Sequence, residues 1–395
     1  MVSPLRMSLL GLIIISSMVA GATPPDLSTE AQSIEKFDGS WIDPYVKDAR
    51  IVLIGEEVHG IAEHIKVKGE LARRLIDHHG FTHIALEDDR YKVEALSQML
   101  ETDEDPETTF ARSQLFWCWA VKELADAISF CRNSPNEWTL TGFDVQTPMF
   151  ALDNLRTNAT TQDQNTQTNL LFKIFSIGQD TFDLEDAKIA FESAEKAFAN
   201  SPFIENEFVH LRRVAEVWAK SQDHGSRMNA RDAGMAETIE DILNNDPEAR
   251  IIIFAHNAHA GYTNYYESFT GGVVPLGKHV ADRFQDKTLS IGLVFTTGSI
   301  LLDPRRREVT GTTTEKMDQL TPDSQAATWN TITQDRWLII PQQILAQNPS
   351  IEIKQFLEAP PPGHFNNYGP AANLAESYDL IVGYKNVLPA TPLTK

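Results

Sequence analysis

Several signatures that would decide a chemistry outright are missing from the chain. There is no G-x-S-x-G, so the nucleophile elbow of the α/β-hydrolases is absent. No Walker A loop and no G-x-G-x-x-G occur, which removes the common phosphate cradles. Neither H-E-x-x-H nor C-x-x-C is present, so no strong metal-ligand spacing exists. Basic residues are scarce: 34 Lys and Arg stand against 55 Asp and Glu, for a formal charge of −21. So acidic a surface disfavours nucleic acid and anionic membranes as partners and favours solubility. Past residue 22 no stretch reaches the ~20 apolar residues of a transmembrane helix. Cysteine is nearly absent, with only Cys118 and Cys131. Both fall in a segment that reads as helical, where their separation is ~20 Å at ~1.5 Å per residue. That is far beyond the ~7 Å Cα limit for a disulfide, so a bridge between them needs a break in the helix.

What is present begins with a leader. Arg6, the apolar stretch from Ser8 to Ala20 and the small residues Ala20-Gly21-Ala22 have the order of a secretory signal peptide spanning residues 1–22. The expectation is cleavage near Ala22 and a periplasmic or secreted protein of residues 23–395. No Cys stands directly after the apolar stretch, which argues against a lipid anchor. The mature length is ample for a sizeable core.

Two segments hold most of the information: Gly55-Glu56-Glu57-Val58-His59-Gly60 and Ala255-His256-Asn257-Ala258-His259. Each follows a short, β-branched apolar run, Ile51–Ile54 and Ile251–Phe254, that reads as a buried strand. A helix from about Ile61 to Asp77 and a strand from Thr82 to Leu86 follow the first, implying a right-handed parallel crossover. Further strands are expected at 139–143, 289–295 and 380–382. Residues 92–135 read as helical, 157–169 as a polar, uncapped loop or linker, and 170–247 as helical. The fold class expected is α/β: a mostly parallel central sheet covered by helices, with a helical insertion at about 92–247 forming one wall of a cleft.

In such sheets ligands collect beyond the carboxyl ends of the strands. Glu56 with His59, Glu87, Asp144, and His256 with His259 all fall at strand ends. His59 is the strongest candidate for a general base, because a carboxylate such as Glu56 can hold its tautomer and steady the imidazolium. His256 and His259 have three readings: ligands of a metal shared with Glu56 or Glu87, donors to an oxyanion, or caps of the turn with Asn257. The donor reading ranks above the metal one. Arg231 lies on the apolar stripe of its helix with Met228 and Met235, so it either pairs with a carboxylate such as Asp232 or a sheet-end acid, or binds an anionic substrate group or organises the acids. Trp117 and Trp119 serve as core or as a substrate wall.

The segments IVLIGEEVHGIAEH, GFTHIALEDD, WCWAVKELADAISFCRN, TGFDVQ, RDAGMAETIEDIL, IIIFAHNAH, PLGKHVADRF and LSIGLVF, in this order, resemble the erythromycin esterase family. The resemblance covers most of residues 50–295. It implies that His59 is the general base, Glu56 its carboxylate, and that Glu87, His256 and His259 belong to the active set. Where relatives carry Arg, nine residues after the base, this chain has Lys68, which keeps the charge but loses the bidentate fork.

The expected function is an exported carboxylic-ester or lactone hydrolase that takes a small-molecule substrate, macrolides among the candidates, and needs no cofactor. Lys68, Asp144, Arg231, Trp117 and Trp119 are the candidate substrate-binding residues. One alternative is a metal-dependent hydrolase using Glu56, Glu87, His256 and His259. The other is a non-catalytic exported binding or envelope protein on the same scaffold.

Overall fold

A computed structural model describes residues 38–102, 105–201, 204–263, 272–305 and 372–393. It also describes the short strands Gln32–Ser33, Thr314–Met317, Leu338–Pro341, Glu352–Ile353, Phe356–Glu358 and Phe365–Asn367. The expected leader lies outside the described residues.

Six parallel strands make the centre of the main sheet: β1 (Ile51–Ile54), β2 (His83–Asp89), β3 (Thr139–Asp144), β4 (Ile251–Phe254), β5 (Thr288–Leu301) and β6 (Leu380–Val387). Their spatial order is β6-β5-β1-β4-β2-β3. Leu338–Pro341 extends the sheet antiparallel beyond β6, and Thr314–Met317 pairs antiparallel with the end of β5. The mostly parallel, helix-covered α/β sheet is therefore as expected, with β2, β5 and β6 longer than the apolar runs that announce them.

The helices longer than four residues are, in chain order, α1 (Ala62–His79), α2 (Arg90–Thr102), α3 (Pro106–Arg112), α4 (Lys122–Arg132), α5 (Met149–Asn158), α6 (Gln162–Ser176), α7 (Leu184–Phe198), α8 (Glu205–Trp218), α9 (His224–Asn245) and α10 (Leu276–Phe284). Among the described residues none is long and apolar enough to cross a membrane. Strand alternation divides the core into two layers. Val52, Ile54, Ile84, Leu86, Ile252 and Phe254 face α1 and α4 through Ile65, Leu71, Leu75, Leu124 and Ile128. Ile51, Leu53, Ala85, Ile251 and Ile253 face the block α5–α10 through Leu152, Leu171, Phe191, Leu211, Met235 and Val280. Burial on both faces is why these strands read as continuous apolar runs.

Two expectations need correction. The run at 157–169 is not a loop: α6 starts at Gln162 behind a capping box in which Thr161 Oγ1 accepts from Gln164 N and Gln164 Oε1 accepts from Thr161 N, both at 3.1 Å. Buried Leu171 and Phe175 beyond the polar stretch supply the packing that holds it. Residues 92–135 are not one helix either. Pro106, at the first position of α3 behind the Asp105 cap, starts a separate helix, and a loop at 113–121 precedes α4. Cys118 sits in that loop and Cys131 in α4; both are free and buried. The span 92–247 also contains β3, the strand expected at 139–143, and the helices α5 to α9 run from Met149 to Asn245.

β1 and β4 are neighbours in register, Ile51 beside Ile251 and Ile54 beside Phe254. The helix after β1 covers one face, while α10, following β4, packs on the other. Adjacent strands that send their chains to opposite faces leave a crevice at their carboxyl ends. Both information-rich segments open there.

Candidate active site

The crevice begins with a close backbone approach. A Cβ on Gly55 would lie 2.0 Å from Asn257 Oδ1, so only glycine lets the two loops meet. Asn257 N donates to Glu56 O at 2.7 Å, and its side-chain amide donates to Leu293 O at 2.9 Å, tying three strands together. The loops are thus fixed before their side chains act.

On the β1 side, Glu56 is buried between a lysine and an imidazole. One oxygen hydrogen-bonds His59 Nδ1; the other accepts from Lys68 Nζ at 2.8 Å. Burial works against the charge on Glu56, but Lys68 and His59 outweigh it and hold the carboxyl at about 2. Lys68 is itself fully buried, donates to Ala255 O at 3.2 Å and lies 4.9 Å from the Trp119 ring centre. Its charge is turned onto Glu56. Burial lowers the proton affinity of His59, yet Glu56 more than compensates and raises its pKa. With Nδ1 committed to Glu56, the exchangeable position of His59 is Nε2, and the side chain is 29% exposed.

Around His59 stand three rings. Trp117 and Trp119 meet it edge-on with centres 6.2 and 6.3 Å away, and His256 lies at 5.0 Å. Trp119 is buried and donates Nε1–H to Glu87 O at 2.9 Å; Trp117 is half-buried. Asp88 accepts from Phe116 N at 2.6 Å, so the end of β2 anchors the whole aromatic loop. His256 Nδ1 accepts from Ala258 N at 3.1 Å, which places the ring proton on Nε2. Burial and the neighbouring His59 push its pKa down to about 3, keeping the ring neutral.

The second cluster is closed. Arg231, on α9, donates to both oxygens of Asp144 at 2.9 Å and to Glu87 Oε1 at 2.7 Å. The other Glu87 oxygen accepts from His256 N at 2.7 Å, linking the two clusters. Burial opposes the Glu87 charge, but the Arg231 guanidinium and the His256 N–H outweigh it and hold the carboxyl well below the ordinary range. His259 Nδ1 lies 2.7 Å from Asp232 Oδ1, and Nε2 lies 2.9 Å from Arg231 Nη1. Burial lowers and Asp232 and Glu87 raise the proton affinity of His259, with a net rise. The Arg231 contact opposes that rise, because one of the two nitrogens must offer a lone pair and a guanidinium has none. The geometry therefore fits the neutral Nδ1–H tautomer, with no ring nitrogen left for a substrate or metal.

All ten candidate residues are thus brought to one sheet edge, in two groups. Glu56, His59, Lys68, Trp117, Trp119 and His256 surround the crevice; Glu87, Asp144, Arg231 and His259 form the closed network behind it. Among the described residues, no group of three or more His, Cys, Asp and Glu side chains is arranged to hold a metal ion.

Sequence reasoning missed two residues. Of the two partners expected for Arg231, the sheet-end acids are the ones it meets, while Asp232 pairs with His259 and also accepts from Leu276 N at 2.7 Å. Adjacent residues on a helix diverge by about 100°, which was the available signal against an Arg231–Asp232 pair. Glu57 is buried beside Glu56, accepts only the Phe295 N–H among the bonds seen, and burial pushes its pKa up to about 8. Nothing in G-E-E-x-x-H distinguishes the two acids by sequence.

A family model described as erythromycin esterase matches residues 76–387. The chain belongs to the erythromycin esterase family. The match starts beyond Glu56 and His59, whose assignment rests on their own geometry. An Escherichia coli erythromycin esterase type I is 23% identical over 287 residues, covering 62% of this chain and 70% of that protein. Among solved structures, a succinoglycan biosynthesis protein superposes with a TM-score of 0.72 at 16% identity, covering 93% and 97% of the two chains. A Bacillus cereus protein gives 0.70 at 15% identity over 93% and 98%. A mutant of the erythromycin esterase EreC, in its open conformation, gives 0.61 at 17% identity over 90% and 94%. At these identities the superpositions establish the shared fold; the family membership supports a hydrolase with a small-molecule substrate.

Proposed function

We propose that this member of the erythromycin esterase family is an exported hydrolase of carboxylic esters or lactones in which His59 activates water. The observation that carries the reading is the division of labour on one ring. Nδ1 of His59 is held by a low-pKa carboxylate, while Nε2 has no hydrogen-bond partner among the described residues and the side chain is 29% exposed. That is the arrangement a general base needs.

In the proposed reaction a water gives a proton to His59 Nε2 as its oxygen bonds to the ester carbonyl carbon. Glu56, balanced by Lys68, stabilises the imidazolium without taking the proton. The carbonyl oxygen becomes an oxyanion, and the Nε2–H of neutral His256, whose ring centre lies 5.0 Å from that of His59, is the candidate donor to it. Collapse breaks the carbon–oxygen bond, and His59 returns its proton to the departing alkoxide. Glu87 and the Arg231 network hold the His256 backbone where this donation requires it. The half-buried Trp117 offers an apolar wall for the substrate body. A lactone ring of the macrolide kind agrees with the likeness to the E. coli erythromycin esterase, and export rests on the leader at residues 1–22.

The test is to incubate the purified protein with a panel of esters and lactones that includes a macrolide, and to look by mass spectrometry for a product heavier by one water. Such a product is expected. Tight binding of panel members with no product from any would favour a binding protein on this scaffold and overturn the reading.

A further inference from the structure

The segment after β6, Leu388-Pro389-Ala390-Thr391-Pro392-Leu393, crosses the starts of α1 and α4 and bonds to both in the same way. At α1, Pro389 bridges Ile61: Ala62 N donates to Leu388 O at 3.0 Å and Ala390 N donates to Gly60 O at 2.9 Å. At α4, Pro392 bridges Val121: Lys122 N donates to Thr391 O at 2.8 Å and Leu393 N donates to Ala120 O at 3.0 Å. The second residue of each helix is a glutamate whose carboxylate accepts from the same segment. Leu388 N donates to Glu63 Oε2 at 2.7 Å, Thr391 N to Glu123 Oε2 at 2.8 Å, and Thr391 Oγ1 to Glu123 Oε1 at 2.9 Å. The L-P-A, T-P-L repeat in the sequence is therefore a repeat of hydrogen bonds.

Local physics explains each part. Ile61 and Val121 are extended N-cap residues with no capping side chain, so the first N–H groups of both helices need acceptors from elsewhere. The segment supplies them. Proline fits the middle of each unit because the two bridging bonds run through the residues on either side, leaving no donor required at 389 or 392. Its fixed φ also lowers the entropy lost in holding the segment extended.

The two helix starts adjoin the two loops of the site. Residues 55–61 carry Glu56 and His59, and residues 113–121 carry Trp117 and Trp119. Gly60, next to His59, is held from two sides, since its carbonyl also accepts from Leu301 N at 3.0 Å. Its φ is +84°, and a Cβ there would lie 2.5 Å from Leu301 O.

We infer that residues 388–393 are a positioning strap: by tying the start of α1 to the start of α4, they fix His59 against the aromatic loop, and loosening at one helix is transmitted to the other. The effect on turnover rests on the hydrolase reading; the mechanical coupling does not.

The test uses the full chain carrying Glu123→Ala, which removes the carboxylate that accepts from Thr391 at the α4 end, leaves the two backbone bonds there, and touches nothing at the α1 end. Amide exchange at Lys122 and Leu393 should speed up about tenfold, as expected for loss of hydrogen bonds from a locally opening segment. The decisive signal is at the far end, where exchange at Ala62 and Ala390 should also rise severalfold. On an ester substrate kcat should fall more than KM changes, and Glu123→Gln, which keeps an acceptor oxygen, should restore most of both effects. If Glu123→Ala does not fold, Thr391→Val, which removes the hydroxyl donor alone, is read in the same way. Faster exchange confined to the α4 end overturns the coupling, as does full turnover in a variant whose strap exchanges freely at both ends. Absence of ester turnover in the wild-type chain overturns the hydrolase reading instead, and exchange at Ala62 and Ala390 still decides the strap.

Discussion

His59 and His259 stand at the ends of neighbouring strands, each against a carboxylate, yet their surroundings make them opposites. His59 has one hydrogen-bond partner among the described residues; it is bonded to Glu56 through Nδ1 and is 29% exposed. His259 is buried, with Asp232 on one nitrogen and Arg231 on the other. An acid–imidazole pair becomes a base only where the second nitrogen is left for a reactant. The closed pair serves the open one, because Arg231 and His259 set Glu87, and Glu87 holds the His256 amide beside His59.

This contrast is most sharply broken at its open side. His59→Ala should lower ester turnover by ~10²–10⁴, the usual contribution of a general base, with a melting temperature close to wild type because the ring is part exposed. Loss of stability with turnover retained would exchange the two roles. The closed side should respond the other way. Arg231→Met leaves Asp144 and Glu87 buried without their cation and should cost ~3–5 kcal/mol in urea unfolding, with activity lost as a consequence of the displaced His256 loop. An unfolding free energy near wild type would mean that the network is not structural.

The smallest effect expected belongs to Glu57, the acid beside the dyad that no cation balances. Its folded-state pKa of about 8 lies above its ordinary 4.5, so the native state holds the proton more tightly and stability falls as pH rises through that interval. Glu57→Gln keeps an acceptor for Phe295 N and removes the titration. The drop in melting temperature between pH 6 and 9 should therefore be smaller in the variant, and an undiminished drop would place that titration elsewhere.

Much of this was legible in the sequence for identifiable reasons. β1 and β4 are buried on both faces, so they appear as the apolar runs Ile51–Ile54 and Ile251–Phe254, and the residues after each had to emerge at one sheet edge. Which of those residues stay open was not legible. That depends on contacts far apart in the chain, such as Arg231 reaching Asp144 across 87 positions and Lys68 reaching the Ala255 carbonyl across 187. Lys68 illustrates the limit: its charge suggested a grip on substrate, while its burial beside Glu56 places it within the dyad. The polar run before Leu171 concealed α6 because a capping box and two distant aromatic and aliphatic anchors outweigh weak local propensity. The strap was invisible for the same reason, since an isolated L-P-A-T-P-L has no structure until two helix starts lie beside it.

The central claim is that a carboxylate-held His59 is the base. Its most direct test is the pH dependence of kcat/KM for ester hydrolysis, measured for the wild type and for Glu56→Gln. Because the active ring is neutral and Glu56 raises its pKa above the ordinary 6.5, wild-type activity should fall as pH drops through a value above 6.5 and level off at higher pH. In Glu56→Gln, with the main stabilising charge gone and burial opposed only by the more distant Glu87, that acid limb should move to lower pH and the plateau should drop. A limb that stays in place in the variant would contradict the account.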